Sequence, residues 1–495
     1  FQAEDGIRDS STSRGLGDVY KRQLIHPILV LPFCLYINSQ EALLSKPNNN
    51  IEETLQENEN QIFLNYSEID NITLKNNQEL KALESLVNST TFTLSSKIAK
   101  RYPSLDLQAS GLPKYVSGKN YNSSSSTTKT SQFSANPSLN IKLDLIDPLR
   151  GSEIKIARNN YAIAKNNYEI KKKDLIKEAK SRYHKLQKSY QDIKNKTLSL
   201  DLSITSLKDA QSKFDAGIGT KFEVLEAEAQ LSRDRQSLNE KKIQNQINKI
   251  ALKEILNING DFEINQKQKL IGFWNHKLNK NITEGLVNSL SLKNINLKKS
   301  IKENQAKNYL NVYKPNVYIS NTFTSSFSKG DSLSVKIDPE KSGSSYTNTV
   351  SLNFGWNIFD GGQNKNLYKS SKADAKSEDY SYKNLENVLK TNISKAYLNL
   401  KLNEEKILSS LKEISSTEES LRLARLRYDV GISTLKDVLV RQKELSNANS
   451  KKIDSIYNYN LNLDELVRLT FLEISNICNE ENNLIKNEIQ SICNI

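Results

Sequence analysis

The chain has 495 residues, of which 37% are hydrophobic and 26% charged; its mean hydropathy is −0.61 and its net charge +13. That is too polar for a bundle of membrane-spanning helices, each of which needs about 18 or more consecutive apolar residues. The basic balance (pI near 9.2) is spread along helix-like segments and forms no patch interleaved with aromatics, which argues for solvated faces and against a nucleic-acid partner.

Taken in order, Gln2–Asp9 and Ser13–Gln23 read as translations of a sequencing flow-cell primer and a transposon adaptor, so 1–23 are expected to be an artefact. With no methionine anywhere, the rest is expected to be a gene fragment whose start was lost. Leu24–Ile37 is mostly apolar and is followed by polar NSQEA, as in the core of an export signal, here assigned to 24–42. Residues 43–65, rich in Asn, Glu and Gln, are expected to be a flexible leader. Of the three cysteines, Cys34 lies in the signal, leaving Cys478 and Cys493 as a possible tail pair in an oxidising compartment.

From Ile69 to Lys100 the pattern is helical and stops before Pro103. Leu105, Leu107 and Ala109 then alternate with polar residues, the period of a half-buried strand. A Ser/Gly/Asn/Lys-rich loop is expected over Gly111–Ala135, followed by a return strand with Leu139, Ile141, Leu143 and Leu145 on one face. After Gly151 a long run without glycine or proline ends at Phe214–Thr220 (FDAGIGT), and a shorter helix is expected over Lys221–Leu256.

The same order recurs. Val317, Ile319 and Phe323 follow Pro315; Ser325–Ser345 is loop-like; Leu352, Phe354, Trp356 and Ile358 alternate. From Gln363 to Val430 there is again neither glycine nor proline, and such a helix of roughly 65 residues would be about 100 Å long. Its apolar residues, among them Leu389, Ile393, Ala396, Leu400, Ile407, Leu421 and Tyr428, keep coiled-coil spacing. Tyr428–Thr434 (YDVGIST) closes it, and a shorter helix is expected over Leu435–Leu472. At a shift of 214 residues Leu186 meets Leu400, Ile193 meets Ile407, Leu207 meets Leu421 and Phe214 meets Tyr428. This is a duplication of two large halves, 66–260 and 282–472, joined by an equatorial linker, 261–281, and followed by a tail, 473–495.

The expected fold is a mixed membrane protein: two duplicated halves that supply four β-strands to a shared barrel, with long antiparallel coiled-coil helices. Each short helix pair should stack end to end beside its long helix. Four amphipathic strands cannot close a barrel, since the smallest common ones have about eight. Several chains must therefore contribute, and three would give about twelve strands and twelve helix columns.

YPSLDL at the first strand, NIFDGGQ (Asn357–Gln363) at the strand-to-helix corner and the paired tips FDAGIGT and YDVGIST resemble the TolC-like outer-membrane efflux protein family. The resemblance covers about Ile69 to Leu472. It implies a homotrimeric channel with a β-barrel in the bacterial outer membrane and an α-helical barrel in the periplasm. Such a duct serves a tripartite efflux pump or a type I secretion system, taking substrate from an inner-membrane transporter through a periplasmic adaptor (membrane fusion protein). The family's tip motif, the adaptor contact, maps to Ala216, Gly217, Ile218 and to Val430, Gly431, Ile432. The acids that line the family's periplasmic aperture map to Asp437, with Val440 where a second acid is expected and Ser433 where some relatives carry arginine. Glu223 and Glu226 take the corresponding places in the first half, and Glu223 equally suits a plain first-turn helix position.

No nucleophile, metal spacing or phosphate loop is present, and His26, His184 and His276 stand alone, so no enzyme and no cofactor is expected. The other reading of the helix length, a trimeric coiled-coil surface protein, does not account for two tip turns and duplicated strand pairs.

Overall fold

The computed structural model describes residues 62–121, 127–258, 260–331 and 342–474. The adaptor-like segment, the export signal, most of the leader, the tail beyond Ile474 and all three cysteines lie outside them.

The first half begins with a short strand, β1 (Ile62–Leu64), and two helices, α1 (Ile69–Asn76) and α2 (Gln78–Ala99). Then come the strand pair β2 (Ser104–Tyr121) and β3 (Thr127–Ile146), the long α3 (Arg150–Asp215) and the shorter α4 (Lys221–Leu256). After β4 (Phe262–Ile264) the second half repeats the order: α5 (Leu278–Asn288), α6 (Leu290–Asn311), β5 (Asn316–Asp331), β6 (Ser342–Gly355), α7 (Gln363–Asp429) and α8 (Leu435–Thr470). The two long helices have 66 and 67 residues, which makes each about 100 Å long. Short helices α2 and α4 both pack on α3, and α6 and α8 both pack on α7 or the α3 flank, so each pair lines up along a long helix as expected. Among the described residues no helix is long and apolar enough to cross a membrane.

Three differences from the sequence reading have physical causes. The helix expected over 69–100 breaks at Asn77, whose side chain accepts the Leu80 N–H at 3.0 Å and so starts a new helix; Ser289 does the same for α6 through the Leu292 N–H at 3.3 Å. The strands run into the expected loops Gly111–Ala135 and Ser325–Ser345 and have 18, 20, 16 and 14 residues, because the Ser/Asn/Gly stretches continue the ladder. Composition there suggests loop, but backbone pairing with the neighbouring strand satisfies those segments, helped by the Tyr115–Phe133 ring contact at 4.7 Å. Finally, residues 62–64, expected inside a flexible leader, form β1, which pairs in parallel with β4 and buries Leu64 against Phe262 and Ile264.

The four long strands form one antiparallel sheet in the order β2-β3-β5-β6, so the two halves meet at β3–β5 and, among the described residues, the outer edges of β2 and β6 have no partner. Its register gathers the apolar side chains into rows: Leu107, Leu139 and Phe323; Leu143, Ile319 and Leu352; Val317 and Phe354. Most of these side chains stay in the open, with Leu107 75% and Phe354 65% exposed, while Leu143 and Val317 are half-buried. The opposite face is polar: Thr322 Oγ1 donates to Asn140 Oδ1 at 3.0 Å, Asn353 Nδ2 to Ser320 Oγ at 3.1 Å, and Lys142 pairs with Asp144 at 3.2 Å. One apolar and one polar face on unbroken strands is the pattern of a barrel wall between lipid and water.

At the strand-to-helix corner of the second half Asp360 organises NIFDGGQ. Its carboxylate accepts the Tyr313 hydroxyl at 2.7 Å, the Gly362 N–H at 3.0 Å and the Asn364 N–H at 3.1 Å, and these bonds, Tyr313 foremost, hold it below the usual carboxylate range. Asp147 has the lesser version, accepting the Leu149 N–H at 2.9 Å.

The core follows the helix columns. Around the equator Leu270, Phe273 and Trp274 of the linker pack on Ile393, Leu400, Ile407, Tyr459 and Leu463. In the first half Tyr183, Leu186, Leu252 and Leu256 close around Phe262.

Candidate functional site

Each long helix ends in the same turn. Ala216 is still right-handed, and Gly217 then takes φ +75°, a left-handed geometry that costs glycine least. The Gly217 N–H donates to Phe214 O at 2.9 Å and the Ile218 N–H to Lys213 O at 3.0 Å, which satisfies the last carbonyls of α3. At the second tip Gly431 has φ +79°, its N–H donates to Tyr428 O at 3.1 Å, and the Ile432 N–H donates to Arg427 O at 2.8 Å. The consequence is at the surface: Ile218 is 78%, Ile432 73% and Val430 69% exposed, with Phe222 beside them at 71%. Large apolar side chains on a helix turn with nothing over them mark a contact surface. Ala216, Gly217, Ile218, Val430, Gly431 and Ile432 therefore all lie at the two turns; Phe222 joins them, and its place just after the tip was the signal for it.

Beneath the turns the two tips share a small core of Ala210, Val224, Ala227, Leu421, Tyr428, Leu435 and Val438. Two polar contacts cross from the first tip to the second. The Lys213 ammonium donates to Tyr428 O and lies 3.6 Å from the centre of the Tyr428 ring. Glu223 Oε1 accepts the Leu435 N–H at 3.3 Å, while its Oε2 accepts the Thr220 N–H at 3.5 Å. One carboxylate thus caps its own helix and holds the neighbouring one. The Tyr428 hydroxyl is buried without a partner; burial, with Glu223, Asp209 and Asp429 nearby, pushes it up to about 12.

Asp437, the aperture acid implied by the resemblance, is exposed and caps α8: its Oδ2 accepts the Thr434 N–H at 3.2 Å and the Thr434 hydroxyl at 3.1 Å. Glu226 is half-buried one turn beyond Glu223, and Val440, where a second acid was expected, is 44% exposed. Ser433, in the place of the arginine of some relatives, hydrogen-bonds only the end of α7, through its N–H to Arg427 O at 3.3 Å and its hydroxyl to Ala424 O at 3.5 Å. The cross-tip pair Lys213–Tyr428 was not legible from spacing, because its members are 215 positions apart in the chain.

The histidines do not all stand alone. His184 is buried on α3 with its Nε2 3.4 Å from Asp464 of α8, and the Tyr66 hydroxyl donates to the other Asp464 oxygen at 3.0 Å. This arrangement joins three segments of the chain; burial, with the Asp464 carboxylate beside it, pushes the Tyr66 hydroxyl far up. Among the described residues no group of three or more His, Cys, Asp or Glu could hold a metal ion.

Comparison with known proteins agrees with this architecture. The profile of the family described as Outer membrane efflux protein matches residues 71–257 and 313–470, one stretch in each half. Among solved structures, one of CusC, whose description concerns folding and transmembrane channel formation, superposes with a TM-score of 0.68 at 14% identity, over 83% of this chain and 93% of that one. The outer membrane protein VceC of Vibrio cholerae gives 0.67 at 15% identity (82% and 96%), and the CmeC outer membrane channel of Campylobacter jejuni 0.67 at 16% (82% and 85%). No curated protein matches the chain. With both halves matched and the same fold throughout, the chain belongs to the outer membrane efflux protein family, the family of outer-membrane efflux channels.

Proposed function

We propose that three copies of the chain form one passive export duct, closed at the helix tips until a periplasmic adaptor docks there. The observation that carries this reading is the pairing of two unfinished surfaces within one unit. The sheet has an apolar face and two open edges, and the tips, a long helix away, carry bare Ile218, Val430 and Ile432. Sheet edges are completed by copies of the chain, apolar faces by lipid, and apolar tips by a partner of a different kind. The tips then contact the adaptor of a tripartite pump or type I secretion system, through which an inner-membrane transporter delivers substrate. The conduit itself carries out no catalytic step and holds no cofactor.

Gating follows from the tip contacts. Lys213 and Glu223 hold the second tip, α7 and α8, against the first, and releasing them would let the second pair of helices swing aside. The carboxylates of Asp437, Glu223 and Glu226 face a narrowing bore in the trimer and favour cations there.

Detergent-extracted protein lacking residues 1–42 is expected to run as a trimer in native mass spectrometry and, once Lys213→Ala and Glu223→Ala release the tips, to conduct ions in planar bilayers. A stable, well-folded monomer overturns the assembly. A trimer that conducts neither as wild type nor as this double variant points instead to a coiled-coil surface protein.

A further inference from the structure

A groove of about 400 Å³ opens at the equator between α3, α8 and the linker, well away from the tips. Lys194 of α3, Lys267 of the linker and Lys452 of α8 line it over an apolar floor that includes Ile453 and Ile456. The volume is within the usual range of ligand clefts. None of the three lysines has an ion pair among the described residues, although neighbouring Lys188 and Lys241 pair with Asp454 and Asp192 at 2.7 and 3.2 Å. Among the charges acting on Lys452, Glu418 of α7 favours its ammonium and Lys194 opposes it. Lys452 is half-buried, and desolvation, more than these neighbours, lowers its pKa, so an incoming anion would relieve an existing cost.

A fourth side chain narrows the ligand class. Asn195 also lines the groove and is buried. Its Nδ2 donates to Ser446 O at 2.9 Å and to Ser450 Oγ at 3.0 Å, which fixes which end of the amide is the acceptor. The remaining atom, Oδ1, is buried with no donor. An ionised carboxylate or phosphate alone could not fill it, because it needs a hydrogen-bond donor, an N–H or O–H, and the backbone N–H of a peptide supplies one.

We propose that this groove binds a short acidic peptide, with its carboxylates on Lys194, Lys267 and Lys452, a backbone N–H on Asn195 Oδ1 and its aliphatic carbons on Ile453 and Ile456. The site is independent of the tips: Lys452 lies 17 residues beyond Leu435 on α8, about 25 Å along the helix. It therefore offers an acidic peptide an attachment point separate from the tips.

The test is fluorescence anisotropy of a fluorescein-labelled tetraglutamate peptide titrated with the detergent-solubilised full-length protein. Saturable binding is expected, weaker at high salt as for any partly exposed ionic contact. The triple variant Lys194→Gln, Lys267→Gln, Lys452→Gln should bind at least about tenfold more weakly with the same helix content by circular dichroism. Tricarballylate, which brings carboxylates but neither N–H nor O–H when ionised, should compete at least about tenfold less well than unlabelled tetraglutamate. Equal binding by wild type and triple variant, or equal binding of a tetralysine peptide, overturns the site. Equal competition by tricarballylate overturns the peptide assignment. Loss of the trimer or of conductance bears on the duct reading alone, since this binding is measured with the chain in any oligomeric state.

Discussion

The two tips are built to one plan, but they are not equivalent. At the turns themselves the cross-tip contacts are made by side chains of the first repeat, Lys213 and Glu223, to backbone atoms of the second, Tyr428 O and Leu435 N–H, while two turns further along α8 Gln442 reaches the other way, donating to Ser206 Oγ at 2.8 Å. The equivalents in the second repeat give nothing back: Arg427 is exposed, and Asp437 caps its own helix through Thr434. One methylene separates Glu from Asp, and it decides whether the carboxylate reaches across. The first turn is also tighter. The Gly219 N–H donates to Lys213 O at 2.9 Å, and a Cβ at Gly219 would sit 2.9 Å from Phe214 N, whereas Ser433 is accommodated with its N–H at 3.3 Å from Arg427 O. A duplicated turn has thus diverged into a holder and a held part, and a moving gate needs that division.

The largest effect should come from Gly217→Pro or Gly431→Pro. Proline fixes φ near about −65°, against +75° and +79° here, and removes an N–H that bonds the helix end. Transport should fall to background while the trimer remains in native mass spectrometry; normal export by both variants would separate the tips from adaptor docking.

Next come the holders. Lys213→Ala and Glu223→Ala each remove one cross-tip contact, so single-channel conductance should rise several-fold, and further in the double variant. Arg427→Ala, the symmetry mate of Lys213, should leave it unchanged. A rise from Arg427→Ala as large as from Lys213→Ala would mean that the asymmetry has no role in gating.

Charge should matter less than contact. Asp437→Asn is expected to move the reversal potential in a salt gradient towards zero with trimer yield unchanged, by an amount that shrinks as salt screens the ring. Glu223→Gln is the internal comparison, and a shift from it alone would place the selective ring in the first repeat.

The smallest effect belongs to Tyr428→Phe. Its ring, which Lys213 faces, is kept, and an unpartnered buried hydroxyl is removed, so thermal stability at neutral pH should be unchanged or slightly higher. At high pH the variants should separate. The folded protein keeps the Tyr428 proton up to about 12 and the unfolded chain loses it near about 10, so wild-type stability from this group is intact below pH 10 and lost between 10 and 12. Identical melting curves for wild type and Tyr428→Phe across that window would show that the hydroxyl is not shielded.

Much of this molecule was legible from residue order. Two runs without glycine or proline predicted α3 and α7, and the buried face of α7 is the one marked by Ile393, Ala396, Leu400 and Ile407. The bounds expected for α4 hold, because Thr220 with Glu223 and the end of the run after Leu256 are local signals. The polar halves of the strands were not legible, since what keeps Thr127–Ser131 extended is the neighbouring strand and not its own composition. The same holds for His184 with Asp464, for Lys213 with Tyr428 and for the lysines of the equatorial groove. Each joins side chains from different helices, and periodicity describes only the face of one helix at a time.

The parallel pairing of β1 with β4 has one more consequence, in time. Residue Ile62 meets Phe262, so two strands of three residues each close a ring around the whole first repeat. Local helices form in microseconds, but a contact across such a separation must wait for its far partner and for the chain between to be ordered. As the chain folds, the amino end of the body therefore stays unpaired until the linker is in place. The first repeat locks on that linker, which precedes α5, and needs nothing from the second half to do so.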